Sequence, residues 1–123
     1  MNRRLFILAA LALGGCVTVT TPAVVAPASE PLEELEPLYS AVASRDAVTI
    51  RVASNGCTVK ADFAFYVERR GSAVTLSFGR RRIDVCRPLA MGQTELTFTW
   101  AELGLEPRAP VFLLNPLTAW TGP

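Results

Sequence analysis

Three cysteines, a single lysine and no histidine bound the chemistry open to this chain. Without histidine, neither a Ser-His-Asp nor a Cys-His constellation can be assembled within it. A Ser–Lys dyad would need Lys60 beside Ser54, Ser72 or Ser77, and nothing in the spacing brings them together. Two facing carboxylates could hydrolyse a glycoside. The candidates are Asp62, Glu68, Asp84, Glu95, Glu102 and Glu106. Asp62 and Glu68, however, alternate with Lys60 on one face, as on a solvated strand. No calcium-loop pattern and no phosphate-cradling glycine loop occurs, so no metal and no cofactor is expected. The residues point away from an enzyme. What remains is arginine. Arg69 and Arg70 precede a glycine, and Arg80, Arg81, Arg82 and Arg87 follow along the chain. Forked guanidinium groups suit carboxylate and phosphate. Two readings stand: Arg69, Arg70, Arg80, Arg81 and Arg82 contact an anionic partner, or such charges keep a β edge from pairing with neighbours.

The elements that must position these residues begin with an export signal. Arg3 and Arg4 precede the apolar run Leu5–Leu13, which is too short to span a bilayer, since a helix needs roughly 20 residues. A charged start, a short apolar core and small residues at its end make a signal segment over residues 1–15. Leu13-Gly14-Gly15-Cys16 resembles the lipobox of bacterial lipoproteins. That resemblance implies a diacylglyceryl group on the Cys16 sulfur, cleavage before Cys16 and acylation of the new N-terminus. It covers the first 17 residues only. Two or more acyl chains give a stable anchor where one does not. In Gram-negative lipoproteins an Asp after the cysteine favours the inner membrane. Val17 is not Asp, so the resemblance implies an outer-membrane anchor facing the periplasm.

Residues 16–31 contain Pro22, Pro27 and Pro31 and read as an extended tether. Residues 32–46 place Leu32, Leu35, Leu38, Tyr39 and Val42 at spacings of three and four, which predicts a short helical neck interrupted at Pro37. The segment Glu30–Asp46 carries five acids and one arginine; Ala47–Pro123 carries nine basic and six acidic residues. The acidic neck is either simply solvated or docked on the basic body. The whole chain of 123 residues has a formal charge of +1, and nothing in that balance suggests nucleic acid.

Residues 47–123 read as β. Val48, Ile50 and Val52 alternate with polar neighbours, and Asn55-Gly56 is a tight-turn signal. Val59, Ala61, Phe63, Phe65 and Val67 form one face of a second strand, and Val74, Leu76 and Phe78 one face of a third. A loop at Arg70-Gly71 would pair Val67 with Val74, Phe65 with Leu76 and Phe63 with Phe78. Ile83 and Val85 change parity, which asks for a bulge at Gly79 or another turn. Leu96, Phe98 and Trp100 mark a further strand, and Thr99 to Glu102 has capping-box spacing. Val111–Leu114 is a continuous apolar run, expected to be covered on both faces. The fold class is a mainly β protein: a small antiparallel β-sandwich or partly closed barrel of about five or six strands, with a short helical segment before it.

Continuing the hairpin brings Cys86 back toward Cys57. With Cys16 committed to lipid, those two pair in an oxidising compartment. The sequence thus describes a lipid-anchored envelope protein that binds a partner without catalysis, the partner being an envelope protein or an anionic envelope component. The alternative is an inhibitor of a periplasmic lysozyme or protease, presenting the Arg69–Ser72 tip. A hydrolase working with carboxylates alone is the third reading.

Overall fold

The computed structural model describes Val25 and residues 27–122. The signal segment, Cys16 and most of the tether lie outside the described residues. Among the described residues, six strands form two three-stranded sheets. They are β1 (Ser40–Ala43), β2 (Ala47–Ser54), β3 (Phe63–Arg70), β4 (Ala73–Arg80), β5 (Gly92–Thr99) and β6 (Val111–Leu113). One sheet has the order β1-β2-β5 and the other β3-β4-β6. The sheets do not join into a barrel. All pairs are antiparallel except β4–β6, which is parallel.

The alternation seen in the sequence builds the core. Val48, Ile50 and Val52 from β2 face Phe63, Phe65, Leu76 and Phe78 from the other sheet, all buried. The ring of Phe98 on β5 lies 4.7 Å from Phe78 and 6.5 Å from Phe65, so one aromatic cluster ties both sheets. Each such side chain contributes about 1.5–3 kcal/mol by leaving water.

Asn55-Gly56 does not close a hairpin. The chain turns there, with Gly56 at φ +104°, and crosses from one sheet to the other through a single 3-10 turn at Lys60–Asp62. The β3–β4 register also differs from the expected one. Phe65 faces Phe78 and Val67 faces Leu76, and the loop is Gly71-Ser72. Both registers bury the same faces. The choice follows from Gly71, whose φ of +62° suits the first loop position of a type II′ turn.

The neck is not the expected helix. Ser40–Ala43 is a strand, and residues 32–39 carry no helical turn. Their backbone groups are committed to the body instead. The N–H of Ala28 donates to Phe65 O, that of Glu36 to Phe78 O, that of Leu38 to Pro116 O and that of Tyr39 to Arg51 O. Val25 and Leu38 are buried in the core, so the β body begins well before residue 47. The neck crosses the outer side of the sheet over Gly79, where a Cβ would come within 2.8 Å of Glu34 O. That close approach, not a bulge, is the role of Gly79.

Candidate functional site

Arg80 ties neck to body. Its Nη2 lies 2.8 Å from Glu36 Oε1 and 2.8 Å from Ala53 O, its Nη1 donates to Thr58 Oγ1 at 3.2 Å, and its guanidinium stacks 4.7 Å over Phe63. Both members of the ion pair are largely buried, with side chains 17% and 13% exposed. The acidic neck therefore docks on the basic body, and Arg80 is spent inside the fold rather than presented to a partner. Asn115 completes the joint. It accepts from Phe78 N at 2.8 Å and donates to Phe78 O at 2.7 Å and Glu36 O at 2.8 Å, standing in for a missing strand neighbour.

The five arginines expected as one contact surface are not together. Arg69 and Arg70 sit at the hairpin tip, Arg70 opposite Ala73, whereas Arg80 lies opposite Phe63 at the other end. Seven residue steps along the strand separate the ends, roughly 24 Å at 3.4 Å each. At the tip, Arg70 is paired with Glu68 at 3.0 Å and Arg69 donates to Gly104 O at 2.9 Å. At the other end Arg81 and Arg82 are exposed, Arg82 lying 3.9 Å from Asp62.

Cys57 and Cys86 lie at disulfide distance, with Cα atoms 5.8 Å apart. Beside them Asp84 fills a loop of converging donors. Its Oδ2 accepts from Thr58 Oγ1 at 2.7 Å, Asn55 N at 2.8 Å and Cys57 N at 3.0 Å, and its Oδ1 from Cys86 N at 3.0 Å. Partial desolvation acts to raise its pKa. The Thr58 hydroxyl and the Cys86, Asn55 and Cys57 amides together outweigh this and hold the carboxyl well below the ordinary carboxylate range. The strand parity inferred after Gly79 is thereby reversed. Asp84 and Cys86 face the body, while Ile83 and Val85, expected inward, face solvent.

The other reactive side chains are similarly committed. Lys60 is paired with Glu102 and lies 4.9 Å over the Phe98 ring. Glu102 also accepts from Thr99 N and Thr99 Oγ1 while donating its own N–H to Thr99 Oγ1, the capping box read in the sequence. Asp62 is buried and accepts from Val59 N at 3.0 Å. Glu95 pairs with Arg51 across β2–β5.

On the β1/β6 side the two sheets leave a cleft of about 470 Å³. Ala41, Val48, Leu76, Trp100, Val111 and Leu113 line it, and Arg45 and Arg108 stand among the lining residues. Trp100 is fixed as a wall by Nε1 donating to Ser44 O at 2.9 Å. Arg108 has φ +73°, the one non-glycine residue among those described with a left-handed backbone, at a cost of roughly 1–2 kcal/mol. Among the described residues, no carboxylate, amine or thiol lines the cleft. The sequence placed Trp100 on one strand face with Leu96 and Phe98 but gave no sign of Arg45 or Arg108, which line the same cleft from two separate loops. The apolar run at β6 is not covered on both faces: Phe112 and Leu114 are exposed. Among the described residues, no helix is long and apolar enough to cross a membrane. Comparison with protein families, curated proteins and solved structures finds no match to this chain.

Proposed function

We propose that this is a lipid-anchored bacterial envelope protein, held at the outer membrane through Cys16 and facing the periplasm, that acts by binding rather than by catalysis. The anchor rests on Leu13–Cys16 and the segment before it. The observation that carries the binding reading is the contrast between two sets of residues. Lys60, Asp62, Asp84 and Glu102 are engaged in holding the fold. The cleft is apolar, with Arg45 and Arg108 among its lining and no acid, amine or thiol. Such a surface suits an apolar group flanked by negative charge.

In-cell photo-crosslinking from Leu113 tests this. Capture of a partner that weakens when Arg45 and Arg108 are both changed to Glu supports the reading. Those two side chains are exposed, so the fold should survive the change. The inhibitor reading draws on a different feature, the exposed tip Arg69–Ser72. A crosslink from Ser72 to a periplasmic hydrolase, with none from Leu113, favours the inhibitor.

A further inference from the structure

Residues 81–91 hold an unusual combination. Ile83 is 78% exposed, Val85 84% and Met91 64%, and Leu89 is fully exposed. Arg81, Arg82 and Arg87 in the same segment are exposed too. Val59, on the loop bonded to this segment through Asp84 and Cys86, is exposed as well. Large apolar side chains gathered on one exposed segment mark an interaction site more often than chance surface composition does.

The segment is not free to hide them. The Asp84 carboxylate accepts from Asn55, Cys57 and Thr58 of the facing loop, and Cys86 is tied to Cys57. With Asp84 and Cys86 turned inward, the extended backbone sends Ile83, Val85 and Arg87 outward. The same arrangement withdraws the one acid of the segment from the surface. What is presented is cationic and apolar together.

We propose that this stapled loop docks on an anionic lipid bilayer, its apolar side chains entering the headgroup boundary and Arg81, Arg82 and Arg87 meeting lipid phosphates. Interfacial elements work in this way, apolar groups sinking about 5–10 Å while cations stay at the headgroups. A purely polar anion would satisfy the arginines but leave Ile83, Val85, Leu89 and Met91 in water. The hairpin tip is the counter-example within the same molecule. Arg69 and Arg70 have Gly71 and Ser72 beside them in the chain and no exposed large apolar side chain. Reach also favours the bilayer. Nine residues lead from Cys16 to the buried Val25, at most about 32 Å of extended chain, so a body anchored at Cys16 stays beside the membrane.

The inference goes beyond the binding reading, which concerns the cleft, and relies on the Cys16 anchor only for delivery to the surface. The test reconstitutes the lipidated full-length protein into vesicles of phosphatidylethanolamine and phosphatidylglycerol, with phosphatidylcholine vesicles as comparison. Leu89→Trp and Ile83→Trp report contact with acyl chains brominated near the headgroup. Phe112→Trp, exposed on β6 toward the hairpin tip, is the control. Docking predicts stronger quenching at Leu89→Trp and Ile83→Trp than at Phe112→Trp, greatest on anionic vesicles. Each arginine changed to Gln should lower the docked-to-undocked ratio about fivefold. Equal quenching at all three positions, or stronger quenching at Phe112→Trp, overturns the proposal. Flotation of the unmutated protein and of Cys16→Ser reads the anchor separately, so a failed anchor and a failed loop give different results.

Discussion

Changing Arg80 to Ala should unfold the joint between neck and body. The guanidinium makes a largely buried ion pair with Glu36, donates to Ala53 O and Thr58 Oγ1, and covers the Phe63 ring. Removing it strands the Glu36 carboxylate, whose side chain is 13% exposed. Breaking a fully buried pair costs about 3–5 kcal/mol. Some solvent still reaches this one, so about 3 kcal/mol is the expected loss. For a domain near 100 residues that is a fall in Tm of roughly 12–24 °C. Thermal unfolding of the detergent-extracted protein, followed by circular dichroism, measures it. Glu36→Gln and the double variant complete a cycle whose coupling should exceed about 1 kcal/mol. Arg81→Ala, exposed and next in the chain, should stay within about 0.5 kcal/mol. If Arg80→Ala and Arg81→Ala have the same Tm as the unmutated protein, Arg80 is not a latch, and its place among the surface contacts is restored.

Three further outcomes follow from the same structure. Replacing Cys57 and Cys86 with Ala should cost about 3–4 kcal/mol for a cross-linked loop near 30 residues, read as a lower denaturant midpoint under non-reducing conditions. Gly79→Ala places a methyl against Glu34 O, and should lose about 1–3 kcal/mol and expose the amide of Glu36 to hydrogen exchange. The Asp84 carboxyl is held below its unfolded value, so its stabilisation is present above the unfolded pKa of about 4 and is lost as pH falls through the lower folded value. Carboxyl NMR should therefore show no Asp84 midpoint in the ordinary range, and Asp84→Asn should remove part of the acid sensitivity; an ordinary midpoint counts against the loop geometry.

Period-two alternation was enough to find the strands and most of the core. Ile50, Phe65, Leu76 and Phe98 were legible because each sits in a run where only one face is apolar. Two β3–β4 registers satisfy the burial pattern equally, and Gly71 as the first loop residue decides between them. The neck was not readable as strand. Leu32, Leu35 and Leu38 keep helical spacing, but the amides of Glu36, Leu38 and Tyr39 donate to Phe78, Pro116 and Arg51, far away in sequence. Asp84 was hidden for a similar reason. A carboxylate looks the same in a sequence whether it faces water or the Asn55, Cys57 and Thr58 donors of a distant loop. The arginines illustrate the limit most clearly: Arg80, Arg81 and Arg82 are adjacent, yet only the first is turned into the fold.

The anchor is the claim on which the cellular account depends, and the N-terminal peptide of the membrane-bound protein tests it most directly. Mass spectrometry of that peptide should find Cys16 as the first residue, carrying the mass of a diacylglyceryl thioether. A membrane-bound form that retains residues before Cys16, or that starts at Cys16 with an unmodified thiol, contradicts the account.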